Sequence, residues 1–406
     1  MRILLVADGR SPITKRWVGG LNALQHKVVI VSTFPCEEIP GVETLYILPL
    51  AFSGLAGSQV NRKPVGEPSV NIGSLRSSVS RSRFLLQRMR YWFGPLTVRY
   101  YAARFRKIVT AEAPDLIHAL RIPFEGMLAA TAPQGIPVLA SIWGNDLTLH
   151  AVGSRGMRRW TEQVLARVDG LLADAHRDIR LAQQWGYLAD KPTLVVPGSG
   201  GIDLDEICRI ESDQPGLERY GVSASEPFIV NPRGFRPGSV RNDVFFQSIP
   251  LILERHPKVK FLCLAMQGQE EAMRWVQRLN IGAQVRLLPY LSQPELWQLF
   301  QNAKASVSIS SHDGTPNSLL EAMACGCFPI VGDIESLREW IIPGVNGLLV
   351  EPGKPQDVAE AVSLALNNDS LREQAAVENG KIIRERCEVD LVRERVDTFY
   401  NQILNQ

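Results

Sequence analysis

No run of eighteen apolar residues occurs in this sequence, so no transmembrane helix is expected. The opening MRILLVADGR lacks the long apolar segment and cleavage site of a signal peptide and reads instead as a buried strand. Cysteine is scarce, six in 406 residues, a usage that fits a reduced, cytosolic protein. Cys325 and Cys327 form the one close pair. No second pair or histidine cluster joins them to make a zinc site, so interior packing of small residues is the expectation there. The loop DGRSPITKRW (8–17) has no Gly-x-Gly-x-x-Gly, which argues against an NAD enzyme.

An overall charge imbalance is also missing, the formal net charge being +2, but the balance is not local. Between Arg62 and Lys107 stand eleven Lys or Arg and one acid, Glu67, leaving 33 bases against 41 acids elsewhere. One basic segment on an otherwise acidic chain points to a local anionic partner rather than to nucleic acid. Residues 53–83 are rich in Ser, Gly, Arg and Pro and read as a long loop. A basic, aromatic helical stretch follows at 84–109, interrupted at Gly94-Pro95. Two readings of it stand: an amphipathic helix on a sheet with its arginines in water, or a contact with an anionic membrane surface.

What the sequence has in quantity is short apolar runs between helix-like stretches. ILLVA (3–7), KVVIVST (27–33), DLIHAL (115–120), PVLASIWG (137–144), GLLADA (170–175) and TLVVPG (193–198) form one series. FIVNPRG (228–234), VKFLCLAM (259–266), VRLLPY (285–290), ASVSISS (305–311), FPIVGD (328–333) and GLLVEP (347–352) form a second. Such runs predict an α/β chain of two doubly wound halves with buried parallel strands. The halves are placed at 1–200 and 201–388, and ligands of such sheets sit beyond the carboxyl ends of the strands, so a cleft between the halves is the default site. Residues 389–406 put Val392, Val396, Phe399 and Ile403 on one helical face, a helix long enough to dock back on the first half.

The chemistry concentrates in SSHDGTPNSLLEAMACG (310–326). A strand ends before it, Pro316 suits a first helical turn, and Gly326 suits a stop. The amides of Asn317, Ser318, Leu319 and Leu320 would then form a helix mouth suited to a phosphate or pyrophosphate. Asp313 and Glu321 flank that mouth. Carboxylates repel a phosphate, so they suit hydroxyl donors instead; a nucleotide sugar supplies both hydroxyls and a diphosphate. Two solvated acids at a helix start is the plainer alternative.

This stretch resembles the signature of retaining nucleotide-sugar glycosyltransferases of family 4, which have the GT-B fold of two Rossmann-like domains. DIESLREWIIPGVNGLLVEP (333–352), VVPGSGGIDLDEI (195–207) and PDLIHAL (114–120) are similar to further segments of that family. The resemblance implies that Asp313 binds the donor sugar, Glu321 the ribose, and the amides of Leu319 and Leu320 the diphosphate. Pro316, Asn317, Ser318, Tyr290 and Arg236 would complete the nucleotide side. The family's first acid is most often Glu, where Asp313 stands here. Its Arg-Lys pair for the leaving diphosphate is matched by Arg233 only, with Arg241 or Arg236 serving for the absent lysine. His118 matches a strand-end histidine near the donor sugar, although a core histidine is the alternative. Asp146, in a segment like the family's WGSD, either meets the acceptor or caps a turn; Ser11 lies on the acceptor-side loop.

The implied reaction is sugar transfer from a nucleotide diphosphate, UDP by family frequency, with no metal and no other cofactor. The acceptor would be a glycan, a small molecule, or a lipid reached from the cytosolic membrane face through 62–107. A catalytically silent sugar-nucleotide-binding protein of the same fold is the alternative, motivated by Asp313 and the absent lysine. Asp203-Leu-Asp205 imitates a metal motif and Gly198-Ser-Gly-Gly201 a phosphate loop, but both fall in the interdomain turn.

Overall fold

A computed structural model of the protein describes residues 1–55, 77–210, 215–223, 226–236 and 238–406. The chain divides into two compact units, one of Met1–Asp174, Asp178–Gly200 and Arg393–Gln406, the other of Ala175–Arg177 and Gly201–Val392. These bounds differ from the expected ones in two places. Ala175–Arg177 goes with the second unit because the amides of His176 and Arg177 donate to the Glu339 carboxylate at 2.9 and 3.0 Å. The start of the last helix, Val389–Leu404, also goes with the second unit; the Val389 amide donates to the Ile202 carbonyl there.

The first unit is built on strands β1 (Arg2–Ala7), β2 (Lys27–Ser32), β3 (Thr44–Ile47), β4 (Leu116–Ala119), β5 (Val138–Ile142), β6 (Gly170–Ala173) and β7 (Thr193–Val195). Their order is β3-β2-β1-β4-β5-β6-β7, all parallel. The second sheet comprises β8 (Phe228–Asn231), β9 (Lys260–Cys263), β10 (Val285–Leu287), β11 (Ala305–Ser308), β12 (Pro329–Gly332) and β13 (Leu348–Val350). It runs β10-β9-β8-β11-β12-β13, again parallel. The α/β class read from the apolar runs is the class observed. Ile229 and Phe261 enter one apolar cluster while Val230 and Leu262 enter another, the alternation of a sheet covered on both faces. Strand β3 was not among the expected runs; it is a half-buried edge strand and lacks their continuous apolar character.

The stretch expected as loop to 83 and helix from 84, broken at Gly94-Pro95, is different in the structure. Residues 56–76 lie outside the described residues, but a single helix runs Ser77–Glu112 with Pro95 inside it. Proline removes the amide that would bond the Tyr91 carbonyl. Ser154 Oγ donates to that carbonyl at 2.7 Å and replaces the missing donor. Gly94 is required by packing: a Cβ there would lie 2.6 Å from the Phe124 ring.

The C-terminal helix buries Val392, Val396, Phe399 and Ile403. Within the first unit it lies against β6, where a Cβ on Gly170 would meet Ile403 at 2.7 Å and Phe399 at 3.1 Å. Among the described residues no helix is long and apolar enough to cross a membrane.

Candidate active site

In the second sheet the strand order reverses between β8 and β11, which makes their carboxyl ends the topological switch point, the place where open α/β sheets bind ligands. The loop leaving β8 is clamped by two buried asparagines. Asn231 Oδ1 accepts from the Arg233 amide at 3.1 Å, and Asn242 Nδ2 donates to the Arg233 carbonyl at 3.2 Å. The loop is then stitched to the exit of β11: Arg241 N donates to Ile309 O at 2.8 Å and Ser311 N to Ser239 O at 2.8 Å. This stitching carries the buried Arg233 guanidinium onto Asp313, with which it forms an ion pair, and to Ser310 Oγ at 3.3 Å. Ser310 Oγ donates to the same Asp313 oxygen at 2.9 Å. Ser336 Oγ holds the Asp313 carbonyl at 2.8 Å, and Trp340 Nε1 donates to Thr315 Oγ at 2.9 Å, so the turn between the two acids is fixed from behind.

The helix after this turn spans Asn317–Ala324, with Pro316 as its extended N-cap residue rather than in its first turn. It ends in a Schellman arrangement: Gly326, at φ +73°, donates to Met323 O, and Cys327 to Ala322 O. Leu319, Leu320 and Met323 anchor it in the core. The Pro316 carbonyl already accepts from Leu319 N at 2.9 Å and weakly from Leu320 N at 3.4 Å. The amides expected to hold the diphosphate, those of Leu319 and Leu320, are therefore drawn back toward the cap, and the mouth is formed by the amides of Asn317 and Ser318, which have no intrahelical acceptor. Glu321 is 4% exposed; its Oε1 accepts from Asn317 Nδ2 at 2.8 Å and from Gln293 Nε2 at 2.6 Å.

Electrostatically the site is positive at its Arg end. The Arg236 guanidinium is pushed below its ordinary value, first by the neighbouring Arg233 charge. Arg241, the other candidate for the missing lysine, does not share this neighbourhood. Both arms of its fork bind Asp243, at 2.9 and 2.7 Å, and its charge is answered there. Tyr290 stands exposed beyond β10 and contributes to the field at Arg236.

The first unit corrects two expectations. His118 is not at a strand end but third of the four residues of β4, and it is wholly buried. Its Nδ1 shares a hydrogen bond with Tyr400 Oη at 2.7 Å and its Nε2 with Ser141 Oγ at 2.9 Å; burial pushes its pKa down to about 3. It is a neutral core residue with no ring nitrogen left for a sugar. Asp146 is likewise fully buried, accepting from the amides of Ile122 and Trp143 at 3.2 Å each and from Arg121 at 2.6 Å, so it caps a turn rather than meeting an acceptor. Ser11 Oγ, half-buried, accepts from Ile13 N at 3.2 Å and caps the Pro12–Ala23 helix. Asp203 is a helix cap as well, accepting from Glu206 N at 2.8 Å. Cys327 is buried and Cys325 half-buried, and burial pushes both thiols up.

Two family patterns match this chain, one described as a glycosyl transferase 4-like domain over residues 9–198, the other as glycosyl transferases group 1 over residues 240–381. Together they take in every strand but β1 and β8, and the whole of the Asp313–Glu321 segment. The chain belongs to the GT-B glycosyltransferases of this group. Among curated relatives of this glycosyltransferase, a D-inositol 3-phosphate glycosyltransferase of Xylanimonas cellulosilytica is 25% identical over 355 residues, 83% of this chain and 76% of the relative. One of the same name from Actinosynnema mirum is 27% identical over 226 residues, which spans 53% of each protein. A N,N'-diacetylbacillosaminyl-diphospho-undecaprenol alpha-1,3-N-acetylgalactosaminyltransferase of Campylobacter jejuni is 30% identical over 129 residues, 32% of each chain. In fold, the glycosyltransferase is similar to the sucrose-phosphate synthase of Thermosynechococcus elongatus, with a TM-score of 0.73, 16% identity and 100% and 99% of the two chains covered. It is also similar to Anabaena HepE in complex with UDP and glucose, with a TM-score of 0.71, 14% identity and 99% and 100% covered.

Reading the sequence missed Gln293 and Ser310 as members of the glycosyltransferase's site. The capping box Ser292-Gln-Pro-Glu295 does put Gln293 at a helix start, but nothing local reveals that it reaches Glu321. Ser310 opens the 310–326 segment, but nothing local gives it a role; its hydroxyl bridges Arg233 and Asp313.

Proposed function

We propose that the protein transfers a sugar, with retention at the anomeric carbon, from a nucleotide diphosphate sugar to a glycan, lipid-linked or small-molecule acceptor. A UDP-sugar is the donor of choice. The observation that carries this reading is the meeting of Arg233, Asp313, Glu321 and the Asn317–Ala324 helix mouth at the β8/β11 switch point. In the reaction the bond from the anomeric carbon to the diphosphate oxygen breaks, a bond to the acceptor oxygen forms on the same face, and the proton of the acceptor hydroxyl passes to the leaving diphosphate. Charge gathers on the leaving diphosphate. Arg233 and Arg236 answer it with permanently charged forks, and the Asn317 and Ser318 amides add the positive end of the helix. These groups do the work that a metal does elsewhere, so none is required. Glu321 takes ribose hydroxyls, and Asp313 takes a hydroxyl of the sugar. Arg241 and His118 have no part in it.

Support for a membrane-borne acceptor comes from the Ser77–Glu112 helix. Trp92 is 63% and Tyr100 79% exposed, with Met89, Phe93 and Leu96 also exposed, and the arginines 88, 99, 104 and 106 are exposed beside them. An apolar stripe beside exposed arginines is the pattern of a helix lying on an anionic bilayer.

A thermal-shift screen over UDP-, GDP- and ADP-sugars tests the donor reading. One of them is expected to raise the melting temperature in proportion to occupancy and to be turned over. Binding without transfer or hydrolysis would favour the catalytically silent reading, and no shift with any of them would remove both.

A further inference from the structure

The first unit has a switch point of its own, between β1 and β4, and three of its guanidinium groups gather there. Arg10, in the loop after β1, is paired through both arms with Asp8 at 3.0 and 2.9 Å and sits 3.8 Å over the Phe34 ring. Arg121, just after β4, holds Asp146 at 2.6 Å and lies 5.1 Å from the Trp143 ring. Arg90 comes in from the Ser77–Glu112 helix and lies over Phe34 at 5.4 Å and Phe124 at 4.8 Å. Asp8 and Asp146 answer Arg10 and Arg121. Arg90 makes no hydrogen bond or ion pair among the described residues, and the Nε atoms of both Arg90 and Arg121 are buried without a partner.

The remaining acid, Glu125, does not supply the missing counter-charge. It is 5% exposed, and burial pushes its carboxyl up to about 8, so it stays largely protonated near neutral pH. The Arg90 guanidinium is itself pushed below its ordinary value, by burial first and then by the charge of Arg121. Asp8 and Glu125 act on the half-buried Arg90 only at a distance, with no hydrogen bond or ion pair, and a second guanidinium held in the field of Arg121 without a paired anion is costly. A tetrahedral oxyanion beside them removes that cost, because Arg90 offers its fork and Arg121 the N–H donors that Asp146 does not take. The aromatic rings beneath keep the forks flat and pre-set.

We propose that Arg90 and Arg121, at the β1/β4 switch point, bind a phosphate group carried by the acceptor. The word acceptor rests on the transferase reading above; the phosphate site does not. Such a group arrives either on a lipid headgroup or on a soluble molecule. The full-length protein is therefore titrated by calorimetry with inorganic phosphate, and sedimented with vesicles of phosphatidylcholine alone and with added phosphatidic acid.

Arg90→Gln is expected to weaken the binding by about tenfold or more, and Arg90→Lys by less, since it keeps the charge and loses the fork. Arg90-dependent binding of inorganic phosphate supports the site with a soluble source; Arg90-dependence confined to phosphatidic acid vesicles supports it with a lipid source. If neither probe binds in an Arg90-dependent way, whether because nothing binds the wild-type chain or because the binding seen survives Arg90→Gln, the proposal is overturned. If Arg90→Gln does not fold, by circular dichroism, Arg90→Lys carries the comparison. A nucleotide sugar that shifts the melting of wild type and Arg90 variant alike keeps the donor reading intact whatever phosphate does.

Discussion

Single residues separate into those whose polar atoms are consumed by the fold and those held ready at a strand end. His118 belongs to the first kind: Trp17 packs edge-on against it at 5.2 Å, and Tyr400 and Ser141 take its nitrogens. A histidine held neutral in the core binds fewer protons than the same residue in the unfolded chain at any pH between about 3 and its ordinary value near 6.5. Stability therefore falls as pH drops through that window, by up to about 1.4 kcal/mol per pH unit from this residue. Urea unfolding of wild type and His118→Gln at pH 7 and pH 5 checks it. The wild type should lose more stability than the variant between those two values, and equal losses would contradict the assignment. Asp313, at the exit of β11, belongs to the second kind, while Glu321 sits in the helix that follows with its Oε1 held by Asn317 and Gln293; the local sequence shows both places, since Pro316 and Gly326 bound that helix. The choice between Arg236 and Arg241 was not legible. Both stand in one polar loop, and only the folded loop gives Arg241 to Asp243 and leaves Arg236 beside Arg233.

At the scale of elements, the buried parallel strands were readable because a strand covered on both faces is apolar at successive positions. Edge strand β3 and the Pro95 helix were not. The first lacks that character, and the second depends on a hydroxyl from Ser154, far along the chain, to replace a lost donor. Gly332 in β12 shows how tightly strand ends set the site. A Cβ there would fall 2.3 Å from the Ser310 carbonyl, within the segment that carries Asp313. Gly332→Ala is expected to cost about 1–3 kcal/mol in urea unfolding and to lower kcat/KM as well, because relief of the clash moves Ser310. Unchanged values of both would show that the approach is slack. The outward stripe of the Ser77–Glu112 helix makes a separate prediction. Co-sedimentation with anionic vesicles should be lost in a Trp92→Ser, Leu96→Ser double variant and reduced by added salt. Binding that ignores both changes would remove the membrane reading.

For the molecule as a whole, the charge pattern seen at the outset now has partial positions. Among the described residues the arginines 88, 99, 104 and 106 lie on the exposed side of one helix, and Arg90 turns inward to the first unit's own switch point. Each parallel sheet thus presents cations at the place where its strand order reverses, Arg233 and Arg236 in the second unit and Arg90 and Arg121 in the first. One set suits the diphosphate of a donor, the other an anionic group on the molecule that receives the sugar. The central claim is the donor set, and Glu321 is its least exposed carboxylate, held by Asn317 and Gln293. The most direct test pairs turnover of the nucleotide sugar found in the screen with melting of the unliganded protein, in wild type and Glu321→Ala. The account predicts a loss of kcat/KM of about a hundredfold or more, with the variant still melting cooperatively as a folded protein. A folded Glu321→Ala protein that turns the donor over at the wild-type rate would contradict it.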